Sequence, residues 1–239
     1  MKRVLISIID KCVPYKFKEY IFNRFIQEKH LSMSFSQEGE DLVLNRFFAD
    51  KTNGCFVDVG AHHPFRFSNT YLFYTKGWRG INIDPLPGAM DSFKNHREED
   101  VNLPYGVSSN EGELVYYSFN EPALNTFSKE KADEYLNHKT YKLKEQITCK
   151  VLPLKQILDT HLKENKHIDF LTIDCEGLDL EVLQSNDWQK YRPTIVLAES
   201  HTSSLSNIES CPIYNFMKTV GYTLHSKTHY TYFYQDSTC

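Results

Sequence analysis

A chain of 239 residues with 41% hydrophobic side chains holds enough material for one α/β domain with a full core, or a smaller domain plus an extension. Its 27 Lys+Arg against 31 Asp+Glu leave a formal charge of -4, which removes any global electrostatic argument for nucleic-acid binding. The 14% of aromatic residues argue against disorder, so a globular, cytoplasmic protein is expected.

Residues 1–33 read as a helical arm ahead of a domain over 34–239. The apolar start Val4-Leu5-Ile6 is broken by Ser7 and closed by Asp10 and Lys11, with no small-residue cleavage site behind it, which makes a poor secretory signal. No segment approaches the ~20 apolar residues of a membrane span. Basic residues Lys2, Arg3, Lys11, Lys16, Lys18, Arg24 and Lys29 outnumber the acids Asp10, Glu19 and Glu28, and Tyr20, Ile21, Phe22, Phe25 and Ile26 recur at helical spacing. Two readings stand: a helix packing its apolar face on the domain, and peripheral docking to an anionic membrane surface.

The cap-rich segment from Ser34 to Asp41 predicts a helix starting near Ser36 and ending near Asp50. Cys55–Val59 reads as a strand, Asn69–Lys76 as a helix stopped by Gly77, and Gly80–Asp84 as a buried strand closed by Pro85 and Pro87. Strands follow at Val101–Val107, Leu114–Phe119 and Ile147–Leu152, with a polar, helix-prone stretch over 128–146 between the last two. Leu154–Lys163 is helical, Ile168–Asp174 a buried strand, Leu178–Trp188 helical, and Thr194–Ala198 a strand; Tyr222–Leu224 and Tyr230–Tyr234 make two strands around a turn. The alternation predicts a doubly wound, mostly parallel sheet with helices on both faces. Trp78 and Trp188 read as core residues. The six cysteines are scattered without a Cys-x-x-Cys pair, so neither a zinc site nor a disulfide framework is suggested, and a reducing compartment is expected.

In an open α/β sheet, ligands sit beyond the carboxyl ends of the strands. Here those ends carry Asp58 with Gly60, then Asp84, Asp174 and Glu199. Each carboxylate has a plain alternative as a helix cap; four in a row call for a ligand. Gly60 lets the chain and its backbone N–H groups approach a ligand closely. The residues after it, Ala61-His62-His63-Pro64-Phe65, lack the further glycines of a dinucleotide fingerprint, which disfavours an NAD-dependent sugar-modifying oxidoreductase. Asp84, 24 residues beyond Gly60, suits a ribose diol. A ribose-bearing cofactor without a pyrophosphate points to S-adenosylmethionine.

Over residues about 34–235 the sequence resembles the FkbM-type methyltransferases, a class I family. The segments that carry the resemblance are Ser36-Gln37-Glu38-Gly39-Glu40-Asp41, Val57-Asp58-Val59-Gly60-Ala61, Ser68-Asn69-Thr70, Gly77-Trp78-Arg79-Gly80 and Ile83-Asp84-Pro85. Further matches are Ile173-Asp174-Cys175-Glu176-Gly177, Glu181-Val182-Leu183 and Val196-Leu197-Ala198-Glu199. The resemblance implies a seven-stranded Rossmann-like sheet closed by an antiparallel C-terminal hairpin, preceded by N-terminal helices. It implies that Asp58, Gly60 and Ala61 border the methionine end of the cofactor and that Asp84 with Pro85 holds the ribose. Gln37, Asp41, Asn69 and Thr70 would close over cofactor or substrate, and Gly106, Val107 and Ser108 would lie toward the adenine. His62, His63 and Pro64 occupy a turn where the family often has a second glycine; one of the two histidines is expected to face the pocket and the other solvent. The loop Pro122–Phe127 and the helix after it sit where such folds insert acceptor-recognition elements.

Acceptor chemistry centres on Asp174, Glu176, Glu199 and His201. Either Asp174 or His201, whose kind titrates near about 6.5, removes the hydroxyl proton. Or Asp174 and Glu199, with His201, hold Mg²⁺ against two sugar hydroxyls. A third reading leaves Asp174 and Glu176 as caps of the helix opening at Gly177. The expected activity is O-methylation of a carbohydrate, such as a surface-glycan precursor. Methylation of a small-molecule acid, phosphate or amide oxygen is the runner-up, and a non-catalytic scaffold the bland reading.

Overall fold

The structure is a computed structural model that describes residues 32–163, 166–200 and 205–238. Contacts divide the chain into Met1–Met33 and Ser34–Cys239, and the fold below is that of the second unit. The basic, amphipathic arm and His201 lie outside the described residues.

In chain order the second unit runs α1 (Glu40–Phe47), β1 (Cys55–Val59), α2 (Tyr71–Thr75), β2 (Arg79–Ile83), α3 (Ala89–His96), β3 (Val101–Leu103), β4 (Gly106–Val107) and β5 (Gly112–Phe119). A 3₁₀ turn at Pro122–Leu124 leads to α4 (Lys129–Leu136), β6 (Leu143–Leu152), α5 (Leu154–His161), β7 (Phe170–Ile173), α6 (Asp179–Gln184) and β8 (Ile195–Glu199). A second 3₁₀ segment at Leu205–Ser210 precedes α7 (Pro212–Thr219), β9 (Tyr222–Lys227) and β10 (Thr231–Asp236).

Seven strands form one sheet in the order β3-β2-β1-β7-β8-β10-β9, parallel except where β10 pairs antiparallel with β8 and β9. This is the Rossmann-like sheet with its closing hairpin that the alternation and the resemblance led us to expect. Successive strand residues point to opposite faces, so each central strand feeds two cores. Val57, Val59, Leu171, Ile173, Val196 and Ala198 join the core that α5, α6 and α7 cover with Leu154, Ile157, Leu158, Val182, Leu183 and Met217. Their neighbours Phe56, Phe170, Ile195 and Leu197 join the opposite core with Leu44 of α1, Phe73 of α2 and Trp78. Burial on both faces is why these strands read as unbroken apolar runs. Trp188 is buried as expected and donates its indole N–H to the Leu183 carbonyl at 2.9 Å.

Several elements depart from the sequence reading. The first helix begins at Glu40 rather than Ser36, because Asp41 gathers the preceding segment: it accepts from the hydroxyls of Ser34 and Ser36 at 2.6 and 2.9 Å and from the Phe35 N–H at 2.7 Å. Gly39, at φ 87°, makes the turn into the helix. The run Val101–Val107 is two strands, since Pro104 and Tyr105 carry the chain from β3 in the large sheet to β4 in another. That other sheet, β4-β6-β5, holds the strands expected at 114–119 and 147–152; alternation in sequence does not say which sheet a strand joins. Within 128–146 only Lys129–Leu136 is helical, and β6 starts at Leu143 to pair with β5 over its full length. Helices α3 and α7 went unread, α3 because only Met90 and Phe93 of its residues are buried. Among the described residues, no helix is long and apolar enough to cross a membrane.

Candidate active site

Register aligns the carboxyl ends of the central strands. Val59 pairs with Ile83 and with Ile173, and Ile173 pairs with Ala198. The next residues along these strands, Gly60, Asp84, Asp174 and Glu199, therefore form one row at the sheet edge. A cavity of about 510 Å³ opens over that row. Its far wall comes from the small sheet and its connections: Tyr105, Gly106, Val107, Tyr116, the loop Glu121–Asn125, Phe127, Tyr135 and Tyr141. Of the residues expected at the cofactor, Gln37, Asp58, Gly60, Ala61, Asn69, Asp84, Pro85, Val107 and Asp174 all line this cavity, as do Glu176 and Glu199.

Gly60 is required by geometry, though not for the reason inferred from sequence. Its φ is 82°, and a Cβ there would fall 1.8 Å from the Asp174 carbonyl oxygen. Its N–H and that of Ala61 both donate to the Ile83 carbonyl, at 3.0 and 3.1 Å. Glycine thus lets the β1 turn close against β7, and these two N–H groups are spent inside the sheet rather than offered to a ligand.

Asp84 is only 5% exposed. Its Oδ2 accepts the His62 N–H at 2.9 Å and its Oδ1 the Leu86 N–H at 2.8 Å. Burial pushes its pKa up to about 6, with the two amides opposing. Each oxygen keeps a lone pair for a further donor. Asp58 accepts the Thr70 hydroxyl at 2.8 Å, and Thr70 in turn accepts Nη1 of Arg97 at 2.9 Å. Arg97 is fully buried and donates from Nε to Asp100 at 2.9 Å; Asp100 also receives the Gly80 N–H. Burial raises the Asp58 pKa to about 6, and the Arg97 charge opposes this. Arg97 and Asp100 were not singled out from the sequence. They sit in the polar stretch after α3, where nothing local marks a charge as buried.

Asn69 lies at the rim, donating to the Thr172 hydroxyl at 3.0 Å. Asp41 does not close over the cavity: it is wholly buried in the bonds that hold Ser34–Ser36. Thr70 likewise reaches the site only through Asp58. Ser108 points away to Glu181, at 2.6 Å. Of the two histidines, His62 lines the cavity, at φ 53°, and burial lowers its pKa to about 4. His63 instead turns its Nδ1 to the N–H groups of Phe65 and Arg66 at 3.3 and 3.2 Å.

The turn after β7 settles which carboxylate does the capping. Asp179 accepts the N–H groups of Cys175 and Gly177, both at 3.2 Å, and burial raises its pKa to about 7. Asp174 and Glu176 are left facing the cavity, Asp174 taking only the Glu176 amide. Glu176 adopts φ 47°, receives the Tyr135 hydroxyl, and its carbonyl accepts the Thr126 hydroxyl at 2.8 Å. The small-sheet wall is therefore fastened to this turn. One oxygen each from Asp174, Glu176 and Glu199 lie within 4.8 Å of one another. Burial leads the rise in all three pKa values, with Glu176 repelling Asp174, both of these repelling Glu199, and Asp179 repelling Glu176. The Tyr135 hydroxyl opposes the rise at Glu176, and the Lys131 charge opposes it at Glu176 and Glu199. Asp174 is exposed at the cavity floor; burial leads its shift, and the charges of Glu176, Asp58 and Glu40 add to it.

No curated protein and no solved structure matches the sequence. The model of the FkbM methyltransferase domain matches residues 58–224, the span from the first cavity carboxylate through β8 to the start of the closing hairpin. With most of the chain covered and the sheet order and strand-end carboxylates in place, the chain belongs to the FkbM methyltransferase domain family and is a methyltransferase.

Proposed function

We propose that the chain is an S-adenosylmethionine-dependent O-methyltransferase acting on a hydroxyl of a sugar or surface-glycan precursor. The observation that carries this reading is the union, in one cavity, of a buried carboxylate suited to a ribose diol, Asp84, with a three-carboxylate group, Asp174, Glu176 and Glu199. The cofactor, when bound, supplies an electrophilic methyl group. Asp84 accepts from the ribose hydroxyls, with Pro85 and Val107 along the base and Asp58, Gly60, Ala61, Gln37 and Asn69 around the methionine end. The residues fit such a group: the spent N–H groups of Gly60 and Ala61 leave no cradle for a pyrophosphate, while Asp84 retains its acceptor capacity.

Transfer to oxygen needs in-line positioning and a deprotonated hydroxyl. Asp174, its pKa raised toward neutrality, takes that proton, and Glu199 and Glu176 hold the neighbouring hydroxyls. His201, two residues beyond Glu199 in the sequence and outside the described residues, would share this role. A second reading is favoured by the 4.8 Å grouping: the carboxylates of Asp174, Glu176 and Glu199 offer an all-oxygen set that suits Mg²⁺, to which His201 would add a nitrogen. The four described cysteines are free thiols, in keeping with a cytoplasmic location. A labelled-methyl transfer screen over glycans and sugar derivatives, with and without Mg²⁺, tests the reading. Transfer to a hydroxyl is expected; activity surviving exhaustive EDTA dialysis removes the metal, and failure of every hydroxyl acceptor removes the sugar.

A further inference from the structure

We infer that the acceptor enters as an uncharged, hydroxyl-rich ring, between Phe67 and Tyr230 and over the carboxylates of Asp174 and Glu199, and that acceptors bearing a phosphate beside that ring are rejected. This inference rests on the methyl-transfer reading above and narrows its acceptor.

A small hollow of about 30 Å³ opens off the main cavity and shares Phe67, Asn69, Asp174, Glu199 and Tyr230 with it. Glu38 and Glu40 line it too, and among the described residues neither lysine nor arginine does. Phe67 and Tyr230 are 42% and 39% exposed, large rings that reach solvent beside the acids of the hollow. Phe67 is held there at φ 55°, a left-handed conformation that is unfavourable for a residue other than glycine. Apolar ring faces beside hydroxyl acceptors match the two aspects of a sugar, whose C–H groups stack and whose O–H groups donate.

The charge balance of the described lining disfavours a phosphate. Among the described residues lining the main cavity, Arg66 is the one lysine or arginine. It is already committed twice: Nη2 meets Glu121 at 3.1 Å, and its guanidinium lies 4.4 Å from the Phe67 ring centre. His62 supplies no compensating cation, because its buried imidazole stays neutral at physiological pH. Lys131, behind the carboxylate turn, is paired with Glu134 at 3.3 Å and does not line the cavity. Among the described lining residues, a phosphate would meet several carboxylates and no uncommitted arginine or lysine. Phosphate-binding sites show the reverse, with Arg, Lys or helix N-termini facing the anion.

The test measures kcat/KM for matched pairs of acceptors: a simple glycoside or neutral oligosaccharide against the same sugar as its phosphate or nucleoside diphosphate. The wild-type protein should prefer the neutral member by about tenfold or more at low salt, and the gap should shrink as salt screens the carboxylates. Glu121→Gln releases Arg66 and should narrow the ratio several-fold, whereas Arg66→Gln should not. Equal or better use of the phosphorylated member overturns the inference while leaving methyl transfer to a sugar intact. Transfer to neither member, with cofactor bound, refutes the sugar reading on which it rests.

Discussion

Replacing Asp84 with alanine tests the cofactor end of the cavity. Two hydrogen bonds from a ribose diol to an ionised carboxylate contribute roughly 1.5–3 kcal/mol each, so their loss should weaken S-adenosylmethionine binding about 10²–10⁴-fold. The fold should tolerate the change. At neutral pH the buried carboxylate, with its pKa raised from 3.8 to about 6, destabilises the folded state by about 3 kcal/mol. Its removal relieves that and leaves the His62 and Leu86 N–H groups without their acceptor, at about 1–3 kcal/mol each. The two effects nearly cancel, so the melting temperature should move by a few degrees at most. Asp84→Asn keeps an oxygen for Leu86 but sets an amide donor against the His62 N–H, and should bind with intermediate affinity.

The pH dependence has a definite sign. The folded pKa lies above the unfolded one, so the Asp84 penalty is full above about pH 6 and fades as pH falls toward 3.8. Binding runs the other way, because ribose hydroxyls need the ionised form. Affinity should fall up to tenfold per pH unit below about 6, with proton release on binding in that range. Calorimetry on the wild type and both variants measures all of this. Alanine at 84 with affinity within threefold of wild type, in a protein that melts normally, would refute the ribose assignment.

Two further variants probe what surrounds the site. Arg97→Met strips the buried Asp58–Thr70–Arg97–Asp100 chain of its cation and leaves two carboxylates uncompensated, so urea unfolding should show about 3–5 kcal/mol lost. Tyr135→Phe removes a hydroxyl that lowers the Glu176 pKa, so Glu176 stays protonated to higher pH and the acid limb of the rate profile should move upward, with cofactor affinity unchanged.

What was legible in the sequence follows from how each feature is encoded. The strand-end residues were readable because a buried parallel strand is an unbroken apolar run, and the first carboxylate or glycine after it marks the sheet edge. The role of Gly60 was not, since whether its N–H faces a ligand or the Ile83 carbonyl depends on the position of β2, not on local chemistry. The division of labour between Asp174 and Asp179 was equally hidden: both lie close to the helix start at Asp179, and only the path of the turn shows which one holds the amides. The small sheet escaped because a strand's partner is a tertiary matter; β5 and β6 carry ordinary strand patterns that fit either sheet. Arg97 sits in a polar stretch whose composition resembles any solvated loop, and its burial comes from Phe56, Tyr74 and Phe93 closing around it.

The capping by Asp179 has an energetic consequence for the chemistry. Were Asp174 bound to the Cys175 and Gly177 amides as well as that of Glu176, its proton affinity would drop and its oxygens would be fixed toward the backbone, making it a poor base. With Asp179 holding those amides, Asp174 keeps a raised proton affinity and faces Glu176 and Glu199 across the cavity. Such shifts weigh against folding, most for the carboxylates shielded from solvent and least for exposed Asp174. The compensation comes from the two cores on either face of the sheet, which bury Phe56, Phe73, Trp78 and Phe170 on one side and the α5–α7 contacts on the other. The strain at His62, Phe67 and Glu176 falls in the same place: each is a non-glycine residue at positive φ, and each lines the cavity. Unfavourable charge and unfavourable backbone geometry thus coincide at one edge of an otherwise well-packed sheet. A scaffold with no reaction to perform would have no reason to concentrate them there.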